Sequence, residues 1–75
     1  MWYRQTLEVV RIRHALRALE AQGPAAEEAA IAAELARLHA VASDARHPAG
    51  GRDLEREYER WRSRLGGSAS SLIAS

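Results

Sequence analysis

Histidine and arginine are the residue types in this sequence whose side chains could do chemistry. Three histidines occur, His14, His39 and His47, and imidazole nitrogens are common ligands of zinc and iron. His14 and His39 fall on predicted helices, but neither has a second histidine or a carboxylate three or four residues away, the spacing that brings two side chains onto one helix face. We therefore expect no metal site.

An arginine row on the third predicted helix is the strongest candidate for binding an anion. Arg56, Arg60 and Arg64 are spaced four residues apart, so they follow one side of a helix and could run along a nucleic-acid backbone. Three glutamates alternate with this row: Glu55, Glu57 and Glu59. Nucleic-acid-binding helices usually concentrate basic charge on one face. The favoured interpretation is therefore that these arginines form surface ion pairs with the glutamates. The alternative hypothesis is a nucleic-acid-binding regulator that uses the arginine row.

Composition excludes several classes of protein. The chain has 75 residues, no cysteine and no lysine, and its 11 arginines against 10 acidic residues give a net charge of +1. Without cysteine there is no disulfide framework, thiolate metal site or cysteine nucleophile. The sequence also contains no glycine-rich phosphate loop and no nucleophile elbow. We expect no enzymatic activity, no cofactor and no small-molecule substrate.

The sequence predicts a cytoplasmic protein without a transmembrane segment. No stretch approaches the ~18 consecutive apolar residues that a membrane span needs, and Glu8 and Arg11 interrupt any secretory apolar segment. Trp2 and Tyr3 beside Arg4 are typical of a helix at a membrane surface. The arginines of this helix are spread around it, however, so packing against protein is the favoured role of both aromatic residues.

The first helix, predicted over residues 2–22, has two apolar stripes. The main stripe repeats at spacings of three and four, with Gln5 filling one gap, and comprises Trp2, Val9, Ile12, Leu16 and Leu19. The second stripe lies roughly 100° round the same helix and comprises Tyr3, Leu7 and Val10. One neighbouring helix cannot cover both stripes, so the first helix is expected to contact two neighbours.

A second helix is predicted over residues 24–44, directly after the Gly23-Pro24 pair. Glycine favours the left-handed conformation that ends a helix, and proline fits a first helical turn. These two helices should therefore form an antiparallel hairpin. The seam of the second helix comprises Ile31, Leu35, Leu38 and Val41 or Ala42. Most of the sixteen alanines surround this seam and favour helix over strand.

A shorter third helix, predicted over residues 53–65, follows the break at His47-Pro48 and Gly50-Gly51. Asp53 is expected to cap this helix through its carboxylate. Its apolar stripe comprises Leu54, Tyr58, Trp61 and Leu65. Residues 66–75 are rich in glycine and serine and predict a flexible tail. The expected fold is all-α, with a single three-helix domain over residues 1–65.

The predicted core is thin and unevenly distributed, since half of its large apolar side chains lie on the first helix. Chains this small often obtain the missing packing from a partner. We predict a non-enzymatic protein–protein interaction module, namely a small helical subunit, adaptor or chaperone that self-associates or joins a larger assembly. Aromatic and surplus apolar side chains are the expected partner-binding residues: Trp2, Tyr3, Leu7, Val10, Tyr58 and Trp61.

Two resemblances bear on this prediction without assigning a family. The predicted helical hairpin is similar in shape to small secretion chaperones. The turn at Gly50-Gly51-Arg52 and the stripe that follows it resemble the end of small phage head–tail joining proteins. The β-hairpin usual in one type of those proteins has no counterpart in this sequence. A phage structural component and a secretion chaperone are the settings that these resemblances suggest.

Overall fold

A computed structural model describes the backbone of residues 2–66 and the side chains of residues 7–65. The all-α prediction and the helical hairpin are confirmed. The elements, in chain order, are α1 (Trp2–Gln22), a 3-10 turn (Gly23–Ala25), α2 (Glu28–Ser43), α3 (Arg52–Trp61) and a π-helical turn (Arg62–Gly66). The predicted tail lies outside the described residues from position 67 onward.

The connection between α1 and α2 is longer than the sequence predicts. Gly23 adopts a φ of 59° and ends α1, as expected for a glycine in this position. Pro24 then lies in the 3-10 turn, where the amide of Ala26 donates to the carbonyl of Gly23 at 3.0 Å. Ala26 and Glu27 are extended, with ψ of 135° and 132°. Two extended residues cannot belong to a helix, so α2 begins at Glu28 and not at Pro24.

The core is built from the seams predicted on all three helices. Leu16 of α1 and Leu38 of α2 have relative exposures of 0%. The remaining buried residues are Val9, Ile12, Leu19, Leu35, Val41, Ala42, Leu54 and Trp61. Tyr58, Leu65, Ile31 and Ala49 pack against this cluster and are partly buried.

A compact loop returns the chain from α2 to α3. The amide of His47 donates to the carbonyl of Asp44 at 3.1 Å, and the amide of Gly50 donates to the carbonyl of His47 at 3.0 Å. The amide of Gly51 then donates to the carbonyl of Ala42 at 3.1 Å, which ties the loop to the end of α2. A Cβ on Gly50 would lie 2.8 Å from the carbonyl oxygen of Val41. The loop therefore needs glycine at this position.

The start of α3 differs in detail from the prediction. Gly51 occupies the N-cap position with a φ of 138° and no side-chain cap. The amide of Glu55 donates to the carbonyl of Gly51 at 3.0 Å. Asp53 lies within the first turn, where its charge complements the helix dipole. The prediction that Asp53 caps the helix is wrong, because α3 begins one residue before Asp53.

The third helix packs mainly on α2 and runs antiparallel to it. The rings of Tyr58 and His39 lie 4.8 Å apart, and Leu54 is buried in the same cluster as Ala42. The ion pair between Arg13 and Glu57 joins α1 to α3. The backbones of both helices nevertheless pack mainly against α2. None of the described helices is long and apolar enough to cross a membrane.

Candidate functional site

An arginine-lined cleft lies between α1 and α3. We call this the arginine cleft, and it is lined by Arg13 and Arg17 from α1 and by Glu57, Arg60, Trp61 and Arg64 from α3 and the turn after it. Its volume is about 360 Å³. Two side chains spaced four residues apart on each helix present their charges along the same side of that helix. The packing of α3 on α2 thus brings together four guanidinium groups and one carboxylate.

Glu57 holds Arg13 in a bidentate ion pair. The Nε of Arg13 donates to Oε2 of Glu57 at 2.8 Å, and Nη2 donates to Oε1 at 2.7 Å. These hydrogen bonds lower the pKa of Glu57, although its partial burial acts in the opposite direction. The same pair raises the pKa of Arg13 above its ordinary value. Both groups are therefore charged at neutral pH, and the two oxygens of Glu57 are already occupied by Arg13.

An indole ring forms the apolar part of the cleft. Trp61 is buried, with a relative exposure of 7%, and its Nε1 donates to Oε2 of Glu57 at 3.3 Å. The guanidinium carbon of Arg64 lies 5.5 Å from the centroid of the same ring, within the distance of a cation–π contact. Arg64 also lies 3.9 Å from Oε2 of Glu20.

Positive charge in the cleft exceeds its negative charge. In the described part of the chain, Arg17 and Arg60 form no ion pair. The contact of Arg64 with Glu20 is long, and both of those side chains are largely exposed, at 61% and 44%. Exposed pairs of this kind are weak. The cleft is therefore an electropositive surface with one fixed carboxylate.

A second concave surface lies on the opposite flank of α1. We call this the hairpin groove; its volume is about 720 Å³, and it is lined by Leu7, Glu8, Arg11, Ile12, Ala15, Glu34 and Arg37. Leu7 is 37% exposed and is the one exposed large apolar residue among the described side chains. Glu34 accepts a hydrogen bond from Arg37 at 2.6 Å. The groove thus combines an apolar rim with acidic and basic side chains in equal number.

The structure separates the predicted partner-binding residues into three groups. Trp61 belongs to the core, and Tyr58 is half-buried against His39 of α2, because α3 folds back onto its own hairpin. Leu7 is exposed and Val10 is half-buried. The side chains of Trp2 and Tyr3 lie outside the described residues.

The predicted arginine row is divided by the structure. Arg60 and Arg64 line the arginine cleft, whereas Arg56 is exposed and lies outside it. The sequence prediction missed Arg13 and Arg17, which belong to a different helix. Their four-residue spacing matches that of Arg60 and Arg64, but no local pattern shows that the two pairs face one cleft.

The histidines do not form a common site. His14 and His39 are exposed, whereas the His47 side chain is only 7% exposed. His47 accepts a hydrogen bond at Nδ1 from the amide of Ala49 at 3.0 Å. Among the described residues, no group of three or more histidines or carboxylates could hold a metal ion.

No protein-family profile matches the chain, and neither the curated proteins nor the solved structures contain a significant match to it.

Proposed function

We propose that this protein is a non-enzymatic interaction module, a small helical subunit that assembles through the hairpin groove. The observation that carries this proposal is the position of α3, which covers one flank of the α1–α2 hairpin and leaves the other open. The most exposed large apolar side chain of the described residues, Leu7, lies on the rim of that open flank. An open groove with an exposed apolar side chain at its edge is suited to receive another helix.

The charges of the groove favour a second copy of this chain as the partner. Glu8 and Arg11 lie one turn apart on α1. In an antiparallel contact between two copies of α1, centred between positions 9 and 10, Glu8 lies opposite Arg11 of the second copy. Leu7 then lies over the floor of the groove at Ile12, which is 3% exposed. A two-fold axis repeats each of these contacts. The groove is therefore complementary to itself in charge, and Leu7 is its main apolar contact.

The composition of the interior supports a role without catalysis. The buried core residues of the described chain are all apolar. The largely buried His47 side chain accepts a hydrogen bond from the amide of Ala49 within its own loop. Activated acids, bases and nucleophiles generally owe their altered pKa values to burial beside other charges. The altered pKa of Glu57 is accounted for by its ion pair with Arg13 across the helices.

Static light scattering over a range of protein concentrations tests this proposal directly. We expect a helical dimer whose dissociation constant rises at least about tenfold in Arg11→Glu, because like charges then face each other across the contact. The double variant Glu8→Arg with Arg11→Glu restores opposite charges between two identical copies, so dimerisation should recover. Arg52→Glu is the control, since Arg52 is exposed on α3 and lies outside the groove.

Two outcomes would contradict the proposal. A helical monomer at every concentration would exclude a second copy as the partner. A dimer that is weakened by Arg11→Glu but not recovered by the double variant would exclude the antiparallel α1 contact. Circular dichroism of each variant shows whether a loss of assembly reflects a loss of helix.

A further inference from the structure

We propose that the arginine cleft binds a phosphate group. The cleft lies on the flank of α1 opposite the hairpin groove, so this inference is independent of the proposed assembly. Its four arginines come from two helices, and its one lining carboxylate belongs to Glu57.

Glu57 neutralises Arg13 and leaves the other arginines of the cleft available. Both oxygens of Glu57 accept from Arg13, and one also accepts from the indole of Trp61. Arg17 and Arg60 form no direct ion pair within the described residues, although Glu57 attracts Arg60 weakly. Arg64 has the 3.9 Å contact with the exposed Glu20 and lies 5.5 Å from the centroid of the Trp61 ring. Like charges held close together repel each other, so an anion between Arg17, Arg60 and Arg64 would relieve that repulsion.

Phosphate matches these groups better than a single carboxylate does. A phosphate monoester carries a charge of about −1.5 to −2 at neutral pH and three strong acceptor oxygens. Three guanidinium groups can each present a planar pair of donors to such an anion. A lone carboxylate has one charge and two oxygens, which leaves one of the three arginines without a partner.

The shape of the cleft limits how much of a ligand it encloses. Its volume of about 360 Å³ is suited to a phosphate group with part of its substituent. Arg13 and Arg17 lie roughly 6 Å apart along α1, from the rise of four residues. Arg60 lies near the end of α3, and Arg64 lies in the π-helical turn that follows it. The phosphate can therefore belong to a small phosphorylated molecule or to the backbone of a nucleic-acid strand that crosses the cleft.

Titration with inorganic phosphate tests the proposal on the full chain. Arginine Nε–H resonances are followed by NMR, with sodium acetate at equal ionic strength as the reference. We expect phosphate to shift the resonances of Arg17, Arg60 and Arg64. A double variant that carries Arg17→Gln and Arg60→Gln should bind phosphate about tenfold more weakly or worse, because it lacks two charged hydrogen-bond donors. Arg46→Gln with Arg56→Gln changes the net charge equally on exposed residues outside the cleft and should leave binding unchanged.

A labelled single-stranded oligonucleotide distinguishes the two sources of phosphate. Tighter binding to the oligonucleotide, with a salt dependence that falls by about 1.4 in log–log slope in the Arg17 and Arg60 double variant, would identify a nucleic-acid strand. Phosphate binding with no gain from the oligonucleotide would identify a small phosphorylated ligand. The proposal is overturned if phosphate shifts no cleft resonance, if both double variants bind phosphate equally, or if polyglutamate binds the cleft and phosphate does not.

Discussion

Replacing Glu57 with glutamine should weaken the attachment of α3 to α1. Glu57 accepts two hydrogen bonds from Arg13, at 2.8 and 2.7 Å, and one from Trp61 at 3.3 Å. Hydrogen bonds to charged groups contribute ~1.5–3 kcal/mol when buried, but the Arg13 side chain is 39% exposed and solvent reduces that figure. We therefore expect Glu57→Gln to lower the free energy of unfolding by about 1–2 kcal/mol in total at pH 7.

The loss caused by Glu57→Gln should depend on pH in a defined direction. Because Arg13 lowers the pKa of Glu57 in the folded protein, the ionised form of Glu57 stabilises the fold above the ordinary pKa of 4.5. That contribution is lost as the pH falls below 4.5 and through the lowered folded-state pKa. Urea unfolding followed by circular dichroism should show a large difference between wild type and variant at pH 7 and a small one well below pH 4.

Glu59→Gln provides the matched control for this experiment. Glu59 is also on α3, but its side chain is 61% exposed and its contact with Arg62 is 3.5 Å long. Exposed pairs of this kind contribute ~0.2–1 kcal/mol. Equal destabilisation by the Glu57 and Glu59 variants at pH 7 would refute the argument, as would a Glu57 effect of constant size down to acidic pH.

Three further substitutions test the packing by urea or thermal unfolding. Gly50→Ala should destabilise by about 3 kcal/mol, since its Cβ would lie 2.8 Å from the carbonyl oxygen of Val41; a neutral result would contradict the loop geometry. Leu38→Ala should lose about 2–5 kcal/mol, because Leu38 has a relative exposure of 0%, and a loss below ~1 kcal/mol would contradict its burial. His47→Ala should lose ~0.5–1.5 kcal/mol by removing the acceptor for the partly buried amide of Ala49. His14→Ala, at an exposed position, should change little.

Local patterns in the sequence were sufficient to predict the helices and most of the core. Leu16 and Leu38 fall on the predicted seams because a buried stripe must repeat with the period of the helix. The boundaries were harder to predict, since Ala26 has a high helix propensity and yet is extended in the turn before α2. Tertiary geometry sets that break, because α2 must reverse direction over α1.

The arginine cleft could not be predicted, for a related reason. Arg60 is visible as part of a row on its own helix, and Arg17 is visible on another. Their common surface depends on the path of the loop between α2 and α3, which places α3 beside α1. That path rests on backbone hydrogen bonds such as the one from Gly51 to Ala42, and backbone hydrogen bonds have no signature in residue types alone.

Charge polarity along α1 and α3 has a consequence for how the two helices align. Arg13 pairs with Glu57, and seven residues further along both helices Glu20 meets Arg64 with the signs reversed. The buried residues Leu54 and Trp61 are also seven residues apart, so a slide of α3 by one heptad would place one of these side chains near the site of the other. Such a slide would bring Arg13 to an arginine or Glu20 to a glutamate. These two ion pairs thereby favour the same register that the core and the loop before α3 already set.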